Sequence, residues 1–519
     1  MSEFAGRGSD APTLETPTRQ RVVMLVNNPC TNDSRVIREA EALAQAGHEV
    51  TVLARLAPGL DPEQTINQVS YRRVTGLVEP WISSRQRQQA WRAMQRYRKA
   101  GVSGAAPHWG AKPLALLAYA CTWRRNVRPQ PLAATPATGQ EALAQTPSVA
   151  LAANAPIDGQ AASAATASSA RKDKDIARRV LGPPYYLARK ILRVPWTYLR
   201  RIAIPIVIFE DVDTAMAKTL HDLRPTVIHA HDLITLPTAA RIAKRLGARL
   251  VYDSHELELH RNAVYSTVSQ WWRARMERRH IVQADLVVTV SDSIADHLAR
   301  QYGIKRPLLV LNSPSFKESP PQAMTTLKTQ LGVGPEQPLA VYVGRVTFGR
   351  GVEYCVQALV HDLQLHVAAV GPREAATEEK LRTLAADLGV QDRFHLVDPV
   401  APDAVVHFIH DADVSLLPIQ NVCLSYYYCM PNKLLESVMS GLPVAVADLV
   451  ELRRFVEKNG CGAVMNETDP AAIARCVRSI FENRDAFRLP AEKIAAIMDE
   501  YGWETQAAGL AAAYARFGA

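Results

Sequence analysis

The stretch 21–54, RVVMLVNNPCTNDSRVIREAEALAQAGHEVTVLA, decides the fold. It opens with an apolar run, Arg21 to Asn27, that reads as a buried strand bounded by turn residues. From Ser34 to Gly47 the spacing becomes helical, with Val36, Ile37, Ala40 and Leu43 on one face and Gly47 as a stop. Glu49–Ala54 is a second strand. Strand, helix and strand in this order form a βαβ unit, which implies a parallel sheet with helices on its faces. The predicted class is α/β.

Further along, the same rhythm returns twice. Strands are predicted at Val227–Ala230, Leu250–Tyr252 and Leu286–Val290, each followed by a helical pattern. After a linker near Pro314–Pro321 come Leu339–Val343, Leu365–Val370, Phe394–Val397, Val414–Leu417 and Pro443–Ala447, and the chain closes on a helical stretch, Thr505–Phe517. At 519 residues the chain exceeds what one core organises. The expectation is two doubly wound, Rossmann-like domains facing a cleft. Their boundaries are 21–320 and 321–500, with a disordered tail at 1–20 and a final segment 501–519 that returns to the first domain.

Composition narrows the class. Apolar residues make up 48% and charged residues 21%, ordinary for a globular protein. The seven cysteines stand singly, with no C-x-x-C pair, so neither a zinc site nor a disulfide framework is indicated and a reducing compartment is expected. Glu3, Asp10 and Glu15 punctuate an N-terminus without an apolar core, unlike a secretory signal. No run approaches the ~20 apolar residues needed to span a bilayer.

The formal charge of +9 implies an anionic partner, and its distribution says where. Between about 80 and 208 the α/β rhythm is interrupted by an insertion into the first domain. Residues 84–99 hold six basic side chains and no acidic one, and 171–201 hold ten against two, interleaved with Tyr185, Tyr186, Trp196 and Tyr198. The intervening 128–170, rich in Ala, Pro, Ser, Thr and Gln, reads as a disordered linker. Basic residues mixed with Trp and Tyr suit a peripheral contact with anionic membrane through 84–99 and 171–201. Pro183, Pro184, Pro195 and Pro205 break any long helix there. No nucleic-acid-binding module is recognisable, so nucleic acid is not the expected partner.

Three motifs fall where open parallel sheets bind ligands, at the carboxyl ends of strands. Gly344-Arg345-Val346-Thr347-Phe348-Gly349-Arg350-Gly351 places two guanidinium groups around a glycine-bearing turn, an arrangement suited to a diphosphate. Cys429-Met430-Pro431-Asn432-Lys433-Leu434-Leu435-Glu436 reads as a helix start, with a dipole that favours phosphate and a glutamate able to accept ribose hydroxyls. Tyr252-Asp253-Ser254-His255-Glu256 gathers three ionisable side chains after a strand, and His229-Ala230-His231-Asp232 ends another. H-x-H can mark a metal, but no third ligand stands at helical spacing. Asp411-Ala412-Asp413 spells a D-x-D yet precedes a strand, where it reads as a turn at a helix end.

Together these stretches resemble the GT-B glycosyltransferases, and within them the large retaining family 4. The carriers are NDSRVIREAEALAQAGHEVTVLA, VIHAHD, VYDSHEL, ADLVVTVSDSIADHL, VGRVTFGRG, ADVSLLP and MPNKLLESVMSGLPV, spread over 21–76 and 222–519. The resemblance implies that Arg345 and Arg350, beside Gly344, hold the donor diphosphate, and that Glu436 is the second glutamate of the E-x7-E motif, on the ribose. It makes His255 the cleft histidine near the reacting centre; Asp253, Glu256, His231 and Tyr428 are expected among the substrate-binding residues. Asn432 and Lys433 belong to the same donor motif, and Asn28 to Asp33 form the loop where acceptor and donor phosphate approach the first domain. Two departures stand out: Tyr428 occupies the place of the first glutamate, and the first loop lacks the usual glycine pair.

The implied activity is retaining transfer of a hexosyl or N-acetylhexosaminyl group from a nucleotide-sugar, with UDP favoured over GDP or ADP and no metal or other cofactor required. The implied acceptor is a lipid-linked saccharide or polysaccharide, met at the cytoplasmic face of a membrane. A sugar-nucleotide epimerase of the same fold and a non-catalytic partner in polysaccharide assembly are the competing readings.

Overall fold

A computed structural model describes residues 19–31, 33–75, 209–263, 265–315, 325–347 and 350–518. The expected insertion from about 80 to 208, with its linker and both basic segments, lies outside the described residues, as does most of the 1–20 tail. Gln20 is an exception: it is buried, and its N–H donates to His48 Nδ1 at 3.3 Å.

The first sheet contains β1 (Arg21–Leu25), β2 (Glu49–Arg55), β3 (Glu63–Ile66), β4 (Val69–Val74), β5 (Val227–His231), β6 (Arg249–Ser254), β7 (Leu286–Thr289) and β8 (Leu308–Leu309). Their order across the sheet is β3-β4-β2-β1-β5-β6-β7-β8. All pairs are parallel except β3 with β4, an antiparallel hairpin turned by Asn67 and Gln68, both at positive φ. The second sheet contains β9 (Leu339–Val343), β10 (His366–Val370), β11 (Phe394–Val397), β12 (Val414–Leu417), β13 (Val444–Ala447) and β14 (Gly462–Met465), all parallel in the order β11-β10-β9-β12-β13-β14.

Alternation along the central strands shows why both sheets are covered twice. In β1, Val23 and Leu25 enter one core while Val22 and Met24 enter another across the sheet. In β9, Ala340 and Tyr342 face one core and Leu339, Val341 and Val343 the other. Strands buried on both faces must be apolar at every buried position, and these are, with only the exposed Arg21 that opens β1 set apart. Full burial of each such side chain contributes about 1.5–3 kcal/mol.

The helix Ser34–Gln45 is started by Asp33, whose side chain accepts the Val36 N–H, and Gly47 follows its end at φ +92°. The last helix, Trp503–Ala515, returns to the first domain. Its Leu510 and Tyr514 are fully buried in the core that holds Val22, Met24, Val36 and Leu43, and Gln506 Oε1 accepts the Leu311 N–H at 3.0 Å. The domains also meet directly. Ser291 Oγ donates to the Tyr428 carbonyl at 2.6 Å, and the Ser293 N–H donates to Glu451 Oε1 at 2.8 Å.

Candidate functional site

On the first domain the cleft wall stands on a buried ionic network. Arg35, one residue into its helix, reaches under the sheet ends and donates to both oxygens of Asp253, at 2.8 and 2.7 Å. A third nitrogen donates to the Val310 carbonyl at 2.5 Å, and the guanidinium lies 3.1 Å from Glu39. Asp253 Oδ2 also meets His255 Nε2 at 3.0 Å and His231 Nδ1 at 3.2 Å. Asp232 adopts φ +61°, a left-handed conformation that a non-glycine residue rarely takes. There its carboxylate sits 3.6 Å from His255 Nδ1.

These charges set the protonation of the wall. Burial opposes a charge on His255, but Asp232 and Asp253 outweigh it and hold the imidazolium up to about 9. Burial would also raise Asp253, yet Arg35 and His255 keep it well below the usual carboxylate range. Burial pushes Glu39 up to about 8 against the pull of Arg35. His229 and His231 are driven down by burial and stay neutral, their rings stacked 4.3 Å apart, and the Tyr514 hydroxyl bonds His229 Nδ1 at 2.8 Å. Ligand-type atoms of Glu39, His229, His231 and Asp253 lie within 4.8 Å of one another. Both Asp253 oxygens already accept from Arg35, so the cation these carboxylates answer is its guanidinium.

Above the network, Asn28 and Asp33 shape the first loop. Asn28 Nδ2 donates to Asp33 Oδ2 at 2.8 Å, while Asn28 Oδ1 accepts the Cys30 N–H at 2.7 Å. Both residues line a surface cavity of about 350 Å³.

The wall of the second domain is built differently. Gly344 follows β9, and its carbonyl would meet any Cβ on Gly371 at 2.1 Å, so the two strand ends pass at glycine-only range. A Cβ on Gly351 would lie 2.1 Å from the Pro418 carbonyl oxygen, so the turn carrying Arg350 needs glycine there. Arg345 is exposed. Arg350 lies over the Tyr426 ring at 5.4 Å, and Lys433 Nζ over the Tyr342 ring at 4.2 Å. Burial and the nearby Arg350 push Lys433 down to about 8. Arg345, Arg350 and Lys433 enter no ion pair among the described residues. Burial raises Glu436, and the positive charges of Arg38 on the facing helix and of Lys433 counter it.

A cavity of about 320 Å³ joins the walls, and among its lining residues are Asp33, His255, Glu256, Tyr426 and Asn432. Tyr426 therefore touches both the cavity and Arg350.

Two family models match the chain in succession: a glycosyl transferase 4-like domain over residues 160–314 and glycosyl transferases group 1 over 337–483. The chain belongs to the GT-B glycosyltransferases of the family 4 type. It is similar to D-inositol 3-phosphate glycosyltransferase of Geodermatophilus obscurus, 26% identical over 305 residues, a match that covers 56% of this chain and 66% of that relative. Its fold is shared with sucrose-phosphate synthase of Thermosynechococcus elongatus, at TM-score 0.60 and 15% identity over 96% of this chain and 99% of that one. It is shared too with HepE of Anabaena, solved with UDP and glucose, at TM-score 0.57 and 12% identity over 96% and 100%.

Within this GT-B chain, the residues singled out from sequence separate into layers. Asp33, His255, Glu256 and Asn432 line one cavity, and Asn28 the neighbouring one. Gly344, Arg345, Arg350, Lys433 and Glu436 stand on the second wall. His231 and Asp253 are fully buried, and both contact His255, at 3.1 and 3.0 Å. Tyr428 packs against the first domain's core, and its carbonyl accepts the Ser291 hydroxyl. The D-x-D pair is structural: Asp411 accepts the Lys328 and Thr329 N–H groups, and Asp413 pairs with Lys328 at 2.7 Å.

Arg35, Glu39 and Tyr426 belong to the site but were not singled out. Arg35 and Glu39 stand one turn apart on the buried side of a helix, a charged pair at core spacing that was a usable signal.

Proposed function

We propose that the chain moves a sugar from a nucleotide-sugar to a lipid-linked or polysaccharide acceptor, with retention of configuration, in surface polysaccharide or lipopolysaccharide assembly. One observation carries the reading: three cations around the end of β9 enter no ion pair among the described residues, and burial and the nearby Arg350 push one of them, Lys433, down to about 8. Such a cluster is built for an anion arriving from outside, and a nucleoside diphosphate meets that need. UDP is the favoured nucleotide, in keeping with the UDP and glucose bound to HepE.

In this reading Arg345, Arg350 and Lys433 hold the diphosphate, Glu436 accepts ribose hydroxyls, and protonated His255 faces the sugar. The bond from the anomeric carbon to the diphosphate oxygen breaks as the acceptor hydroxyl forms its own bond on the same face. The leaving phosphate takes the hydroxyl proton, and the cations stabilise the charge that develops on it. No metal is assigned a part. The acceptor is presented at the inner face of a membrane, which the protein touches peripherally; among the described residues no helix is long and apolar enough to cross one.

A panel of UDP-, GDP- and ADP-sugars, with and without membrane lipid extract, tests the proposal, with the product's anomeric configuration read by NMR. Transfer with retention supports it. Undiminished transfer by Arg345→Ala and Glu436→Ala variants sinks the site assignment, and conversion of donor without acceptor replaces it with the epimerase reading.

A further inference from the structure

The helix Thr267–Ile281, TVSQWWRARMERRHI, carries an outer face that the other described residues leave uncovered. Val268, Trp271, Arg275, Arg278 and Val282 recur at three- and four-residue steps, so they share one side. Trp271 is 60% exposed, and Val268 and Val282 are 38% and 56% exposed. The Arg275 guanidinium lies 5.9 Å from the Trp271 ring. The helix's one acidic residue, Glu277, points inward, where Tyr252 and Tyr302 donate to it. The exposed side is therefore basic and apolar with no carboxylate.

This face runs into a groove of about 1040 Å³ floored by Trp272 and Met276 and edged by Lys244, Arg245 and Arg279. Two of the groove's three carboxylates are already answered, Asp213 by Arg241 and Asp285 by Arg249. Arg275, Arg278, Arg279, Lys244 and Arg245 enter no ion pair among the described residues. A tryptophan and two valines set among unpaired arginines would be left in water by a polyanion that binds only charge. A lipid surface takes both: rings and aliphatic groups at headgroup depth, guanidinium groups on anionic lipid.

We propose that this helix face docks the protein on an anionic bilayer. The helix is fixed to the reaction cavity through Arg273 and Arg261, both paired with Glu258, and through Arg261 with Glu256 on the cavity wall. Docking here brings the acceptor side of the cleft toward the membrane. The inference deepens the acceptor part of the proposed function, but the assay below contains no sugar nucleotide, so it can fail while transfer survives.

The full chain is mixed with vesicles of phosphatidylcholine alone, or of phosphatidylcholine with phosphatidylglycerol, and partitioning is read by flotation. Preferential binding to the mixed vesicles is expected. Trp271→Ser lowers that partitioning by roughly tenfold, and the double change Arg275→Glu with Arg279→Glu by roughly thirtyfold or more, with unchanged melting temperatures. Unaltered partitioning of either variant overturns the proposal, as does equal binding to neutral vesicles. Loss confined to RNA binding, or to self-association of the chain, reassigns the face to those partners and overturns it as well.

Discussion

The two walls of the cleft treat charge in opposite ways. On the first domain Arg35 is closed onto Asp253 and Glu39, and His255 onto Asp232 and Asp253, so the positive charges find their partners inside the fold. On the second, Arg350 and Lys433 lie over the Tyr426 and Tyr342 rings, and with Arg345 they enter no ion pair among the described residues. A wall saturated in itself fixes geometry, while a wall left with excess charge awaits a ligand. The difference teaches which residues to expect in stability and which in binding.

Breaking the first wall gives the largest effect. Arg35→Ala leaves buried Asp253 with only the His255 imidazolium to answer it, and removing one partner of such a buried pair costs about 3–5 kcal/mol. Chemical denaturation will show that loss, and an Arg35 variant as stable as the parent refutes the saturated wall. On the second wall, Arg345→Ala with Arg350→Ala leaves folding intact and lowers kcat/KM by roughly 10²–10³. If melting falls instead, those arginines are structural.

A smaller change tests how far the first network extends. Tyr514→Phe removes the hydroxyl that bonds buried His229, at about 1–3 kcal/mol. Unchanged stability cuts the last helix out of the network.

Alkali sharpens the contrast further. Glu39 near 8 and His255 near 9 lie above their ordinary values of 4.5 and 6.5, so their stabilisation is fully present below those values and is lost as pH climbs from them to about 8 and 9. Lys433 near 8 lies below its ordinary value, so its strain is present below pH 8 and is relieved above it. The first domain should melt earlier, and the second no earlier, between pH 7 and 9.5; the two transitions are followed by hydrogen exchange of β1 and β9. The smallest signal is proton uptake when UDP binds near pH 8, because the diphosphate restores the Lys433 charge. Calorimetry in buffers of different ionisation heat reads it, and zero uptake removes Lys433 from the site.

Much of this was legible in the sequence. β9, β11 and β12 fall where the apolar runs placed them, and the helix at Ser34 ends within two residues of its glycine signal. Local periodicity suffices for strands buried on both faces. The β3–β4 hairpin was not legible, because Asn67-Gln68 takes a left-handed turn without glycine and every residue of β3 is exposed. For the site, residues just after strands were readable by position. What lay beneath them was not: Arg35 and Asp253 are 218 positions apart, and no local pattern announces their contact. The same distance hid the burial of His231, which looked like a cleft residue because its strand ends there.

The last helix bears on how the protein comes to be folded. Leu510 and Tyr514 complete a core whose other members, Val22 and Met24 among them, belong to the first strand. During synthesis that core waits, its apolar slot open, until the whole second domain has followed. Contacts this remote in sequence make folding slow and leave a sticky intermediate on the ribosome. The first domain cannot be finished before the second exists, so the two halves of the cleft reach competence together.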